Sequence, residues 1–164
     1  MPLPTQPPVP DRKHYRIRPL KRGDRDAAFK LLAADGWVVP LNDQDLAISW
    51  IVQHPEIECF VAHHVAAFSW LLGMITLSHR PQLRLGGRVA CIDLFLVAPE
   101  ERGSGIGDDL LTQALRRSEA LACKRVEVQL AMIPGELHAF FEGHGFKKAE
   151  HQLYVRPAPH AEKK

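Results

Sequence analysis

The clearest chemistry in this sequence lies in the run Arg102-Gly103-Ser104-Gly105-Ile106-Gly107. Glycines at alternate positions leave consecutive backbone N–H groups with no side chain in front of them. A loop that opens a helix adds the partial positive charge of the helix N-terminus. Together these make a cradle for an anion such as a pyrophosphate, to which Arg102 can add a charge-assisted contact and Ser104 a hydroxyl donor. Two other phosphate patterns do not fit. A dinucleotide fingerprint starting at Gly103 needs glycine where this chain has Asp108, and a P-loop needs Gly-Lys-Ser/Thr where it has Ile106-Gly107-Asp108. The alternative reading is that the glycines only allow close packing of a strand on a helix.

Asp93 is the second candidate. A carboxylate inside the otherwise apolar run Ile92 to Val97 is costly unless it is hydrogen-bonded or functional, so it reads either as a general base or as a structural acceptor. The nine histidines give no metal spacing. His63 and His64 are neighbours on a predicted strand and face opposite sides. His138 and His144 do not share a helical face well. His79, placed where a strand ends near the expected substrate mouth, reads as a base, a substrate contact or a plain loop histidine. Cys59, Cys91 and Cys123 are odd in number and sit among apolar residues as free thiols would, which points to a reducing, cytoplasmic compartment.

The elements that must position these residues follow from periodicity. Tyr15-Arg16-Ile17-Arg18-Pro19 alternates as a strand. Asp24 caps a helix through Ala34 that ends at Asp35-Gly36. A second helix begins at Asn42 or Asp43 and carries Leu46, Ala47, Trp50 and Ile51 on its inner side. Between the two stands Trp37, which the residues alone make a core filler. Glu58 to His64 and Phe68 to Ser78 read as paired strands, and Arg88 to Val97 as a central strand buried on both faces. A helix from about Gly105 to Leu121, a strand from Arg125 to Leu130 and a short helix from Gly135 to Gly143 follow, with Pro134 at its first position. Strands at Gly145-Phe146 and Gln152 to Val155 close the domain. This order predicts an α/β fold with one twisted mixed sheet of about seven strands flanked by about four helices.

A chain of 164 residues suits one domain, with 46% apolar and 24% charged residues. The expected boundaries are a Pro-rich tail over 1–14, the domain over 15–157 and a C-terminal tail over 158–164. A net charge of +2 gives little support for a nucleic-acid partner. The first ten residues lack the form of a signal peptide, and the apolar stretch from Cys59 to Leu77 contains His63, His64, Ser69, Gly73 and Thr76, which argues against a membrane span.

Here the chain resembles a known family. The run Arg102 to Gly107, following a strand that ends at Val97, is similar to the Gln/Arg-x-x-Gly-x-Gly/Ala pattern of the GNAT superfamily of N-acetyltransferases. Ile17-Arg18-Pro19 with Gly23-Asp24 resembles the family's opening strand and first helix. His138 to Phe146 resembles its final helix and Gly-Phe strand entry. The resemblance runs from about 15 to 156. It implies a sheet splayed between its fourth and fifth strands, with acetyl-CoA as cosubstrate and no metal. Arg102, Gly103, Ser104, Gly105, Ile106 and Gly107 would hold the pyrophosphate, and Phe95, Leu96 and Val97 the pantetheine arm. The Leu96 backbone N–H is assigned as oxyanion donor. Leu130, Ala131 and Met132 would form the other lip. The reaction implied is direct attack of a primary amine on the thioester, with Asp93 as the base. Phe141 would line the cofactor site, but it stands where the family usually has the tyrosine that protonates the departing thiolate. Tyr154 is the residue left to take that role. A homodimer is frequent in the family. The alternative from another class is a CoA-binding module with little catalysis.

Overall fold

The computed structural model describes residues 13–130, 135–150 and 153–156, which fall into two units divided after Leu130. The expected tails before residue 13 and after 156, the lip at Ala131 and Met132, Pro134 and Gln152 lie outside the described residues.

The first unit is built on a five-stranded sheet in the order β1 (Tyr15–Pro19), β2 (Ile57–His64), β3 (Ala67–Gln82), β4 (Gly87–Val97) and β5 (Cys123–Val128). Neighbours from β1 to β4 are antiparallel, and β4 to β5 is parallel through the crossover helix α3 (Ile106–Ala120). Two helices, α1 (Arg25–Ala34) and α2 (Leu41–Gln53), join β1 to β2. Alternation along the strands sorts the two faces. Cys59, Val61, Met74 and Leu96 pack with Ala28, Leu31 and Ile48 of α1 and α2. Gly73 points the other way, since a side chain there would meet Ile106 and Leu110 of α3. The α/β class and the mixed sheet are as expected.

Three details differ. The described residues contain five strands rather than about seven, because 146–150 and 153–156 have no ladder partner. Helix α2 turns inward only part of the expected stripe: Leu46 and Trp50 are 51% and 62% exposed, while Ile51 faces the core as expected, beside Ile48, which was not expected there. Strand β3 also runs to Gln82, through Pro81. Beyond Ser78 it pairs with β4 alone, so an outer edge is left where a missing N–H breaks no ladder.

Asp24 joins β1 to α1. Its carboxylate accepts from both terminal nitrogens of Arg18 at 2.7 and 2.8 Å and from the Lys21 amide at 2.8 Å. Burial alone would raise its pKa, but the guanidinium and the amide outweigh that and hold it below the ordinary value. Asp24→Asn leaves the enclosed guanidinium without its partner. The expected cost is about 3 kcal/mol, a fall of roughly 9 °C in melting temperature. A carboxylate with a lowered folded-state pKa contributes stability above its unfolded pKa and loses it on acidification. The gap between wild type and variant should therefore narrow below pH 3.8, which thermal melts across pH would check.

In the second unit, α4 (Gly135–Gly143) ends where Gly145 takes φ 84°. The Phe146 amide returns to the Phe141 carbonyl at 3.0 Å, and the two rings meet edge to face.

Candidate functional site

Strand β4 loses its partner halfway along. Pairing with β5 runs from Arg88 to Ile92, and the last bond across is the Gln129 amide donating to the Ile92 carbonyl at 2.8 Å. Among the described residues, β4 continues from Asp93 to Val97 beside β3 only. Which groups face away from β3 follows from antiparallel alternation. The Ala98 amide donates to the Leu72 carbonyl at 2.8 Å, so Ala98, Leu96 and Leu94 turn their backbone groups toward β3. Phe95 and Val97 turn theirs to the opposite edge, the side from which β5 departs. Leu96, expected as the donor, spends its amide on the β3 side and buries its side chain in the core below α1 and α2.

The register slips once on the other edge. Thr76 faces Leu94 and Leu77 faces Ile92, leaving Asp93 as the extra residue of a β-bulge. The bulge explains how a carboxylate sits in a central strand: Asp93 is exposed at the point where β5 departs. Its charge is felt by the Cys59 and Cys91 thiols, which places it on the α1 and α2 face. Partial enclosure raises the Asp93 pKa above the ordinary 3.8, and its own amide opposes the shift.

At the end of β4 the chain makes a single helical turn over Pro99–Glu101 and enters α3. Gly103 and Gly105 have φ of 80° and 89°, a region that side-chain-bearing residues rarely adopt. The first intrahelical bond is from the Asp109 amide to the Gly105 carbonyl, at 3.1 Å. The amides of Ile106, Gly107 and Asp108 therefore precede the ladder, at the positive end of a fifteen-residue helix. The loop expected as the cradle, Arg102 to Gly107, leads into this turn.

The helix start is seated by Gly73. A Cβ there would lie 3.0 Å from Ile106 Cγ2 and 3.1 Å from the Leu96 carbonyl oxygen. Gly73→Ala is expected to push α3 off the sheet at the cradle, at about 2 kcal/mol and roughly 6 °C in thermal melts.

Other predicted residues are placed as follows. Arg102 turns to Asp35, with Nη2 at 3.7 Å from Oδ1, and Ser104 donates its hydroxyl to the Glu101 carbonyl. His79 is buried rather than in a loop: it pairs with Ala90, its Nδ1 accepts from Arg88 at 2.7 Å, and burial lowers its pKa. It lies toward the end of β4 opposite the cradle, which removes it from the site. Phe141, in the second unit, is 5% exposed and packs on Phe140 and Phe146. Tyr154, in the same unit, is 88% exposed on an irregular segment. Among the described residues no cluster of His, Cys, Asp and Glu is arranged to hold a metal ion, and no helix is long and apolar enough to cross a membrane.

Sequence reasoning missed the residues around the cradle. His14 Nε2 lies 2.8 Å from Glu101 Oε2, and the Tyr15 hydroxyl donates to Asp109 Oδ2 at 2.7 Å. Contacts across some ninety positions leave no local pattern; the one available signal was Tyr15 at the head of an alternating strand.

The family model described as the acetyltransferase (GNAT) family matches residues 26–146. Among solved structures, an acetyltransferase from Trypanosoma brucei is 24% identical, with 87% of this chain and 99% of that one covered and a TM-score of 0.73. A transcriptional regulator from Bacillus halodurans is 23% identical, with 87% and 99% covered and a TM-score of 0.77. AAC(6')-Iy, solved with a bisubstrate analogue of CoA and acetylneamine, is 17% identical, with 88% and 99% covered and a TM-score of 0.74. A search of curated proteins finds no match.

Proposed function

The chain belongs to the GNAT acetyltransferase family, and from that premise we propose that it transfers the acetyl group of acetyl-CoA to a primary amine by direct attack. The observation that carries this reading is the end of β4 from Asp93 to Val97, beyond its ladder with β5, which leads directly into the glycine loop and the start of α3. An extended amide-bearing arm can add to a strand edge as a strand would, and a diphosphate matches the amides of the helix start beyond it. Acetyl-CoA has both parts in that order, and supplies an activated thioester carbonyl. The neighbour AAC(6')-Iy is named with a CoA-derived analogue, which fits the same assignment.

The chain's own groups then divide the work. Ile106, Gly107 and Asp108 bind the diphosphate through their amides, beside Gly103 and Gly105, whose backbone conformation shapes the loop. Arg102 exchanges its long, exposed contact with Asp35 for a phosphate oxygen. Val97 directs its N–H to the edge of β4 away from β3, where it stabilises the oxyanion in place of Leu96. Asp93 takes one proton of the incoming ammonium, the amine nitrogen bonds to the carbonyl carbon, and the nitrogen's second surplus proton passes to solvent as the carbon–sulfur bond breaks. Phe141 has no proton to give, and the Tyr15 hydroxyl is committed to Asp109 with its pKa pushed up to about 12. A thiol of ordinary pKa near 8.5 leaves as thiolate without an acid, at some loss of rate.

The second reading is a CoA-binding module with little catalysis, favoured by phenylalanine at position 141. Release of free thiol from acetyl-CoA across a panel of primary amines separates the two. Amine-dependent release above the hydrolysis background supports the transferase. Tight CoA binding with no release from any amine supports the module.

A further inference from the structure

Three successive residues at the head of β1 hold both shoulders of the cradle. His14 Nε2 contacts Glu101, just before the loop, at 2.8 Å. Lys13 Nζ and the Tyr15 hydroxyl both reach Oδ2 of Asp109, just after it, at 2.5 and 2.7 Å. Tyr15 also stands beneath the loop, 3.6 Å from where a Gly105 Cβ would lie.

This arrangement answers a difficulty in the sequence. The first turn of α3 carries Asp108 and Asp109. Acids there suit the helix dipole, but they oppose a diphosphate drawn to the same turn. Asp109 is not left to act on it. Burial would raise its pKa, yet the contacts with Lys13 and Tyr15 prevail and keep it low. Tyr15 is only 3% exposed and remains a neutral donor.

We propose that Lys13 and Tyr15 are positioning residues of the acyl-CoA site: they turn the Asp109 carboxylate away from the cradle and offset its charge, while His14 on Glu101 fixes the loop entering it. The inference rests on the cradle reading above. β1 thereby becomes part of the ligand-binding apparatus and not only the edge of the sheet.

Calorimetric titration with CoA tests it, using the full chain with Tyr15→Phe and Lys13→Met, each with and without Asp109→Asn. Tyr15→Phe removes one oxygen from a packed ring. It is expected to weaken CoA about fivefold, an effect that shrinks as added salt screens the freed charge. Adding Asp109→Asn should restore affinity to within about twofold, because the opposing charge is gone. Lys13→Met should behave alike. Unchanged affinity in both single variants overturns the proposal. So does a loss that Asp109→Asn leaves in place, since it would mark packing rather than charge. Absence of CoA binding by the wild type is a separate result, which removes the cradle reading and this inference with it.

Discussion

Gly105→Glu is expected to weaken CoA binding by at least about a hundredfold and to abolish protection by CoA against thermal unfolding. Two effects combine. Gly105 holds φ at 89°, and a residue with a Cβ carries a penalty of about 1–2 kcal/mol in left-handed backbone. The new side chain also starts 3.6 Å from the Tyr15 hydroxyl and brings an uncompensated carboxylate to the loop that should hold a diphosphate. Gly105→Ala separates the parts. It meets nothing closer than Tyr15, so it brings strain without charge, and a loss of about tenfold is expected. Calorimetric titration gives both values, and melting without ligand shows whether each variant is folded. CoA affinity unchanged in folded Gly105→Glu would remove the α3 start as the diphosphate site.

The cradle was legible because its causes are local. Positive φ at Gly103 and Gly105 and the helix start at Ile106 all follow from residues within a few positions of one another. The strands were legible for a related reason: period-two burial and apolar runs mark them whatever their partners. What was not legible depends on register. Leu96 and Phe95 are both apolar residues of one strand, and only the bond from Ala98 to Leu72 decides which amide turns away from β3. The bulge at Asp93 is of the same kind, since it is a mismatch between β3 and β4 rather than a property of either strand. Helix α2 was legible only in part, for a third reason. Leu46 and Trp50 share a helical stripe with Ile51 as readily as Ile48 does, and which flank of Ile51 turns inward is set by the sheet beneath. The ion pairs of β1 with α3 join segments that no sequence window contains.

Asp93→Asn should lower turnover about a hundredfold or more, with a smaller effect on CoA affinity. The bulge is what exposes this carboxylate. An aspartate in register would point into the packed face of a central strand. As the extra residue it emerges at the fork between β4 and β5, partly enclosed. Its pKa is raised above 3.8, toward the pH at which a base both exists as carboxylate and retains the strength to take a proton. In the wild type, kcat/KM should climb with pH as Asp93 deprotonates. In Asp93→Asn that limb should disappear, leaving only the rise due to the amine itself, which an acceptor of different amine pKa would displace. Stability should move the opposite way. A group whose folded-state pKa is raised favours folding below its unfolded pKa, and that contribution is lost as pH rises through the folded value. Above that pH the ionised Asp93 weighs against the fold, so Asp93→Asn should melt higher at neutral pH and lose its advantage on acidification. A slower, more stable variant marks a carboxylate kept for chemistry at the expense of the fold. A variant that is slower and less stable marks a structural acceptor, and one with an unchanged pH–rate profile removes Asp93 as the base.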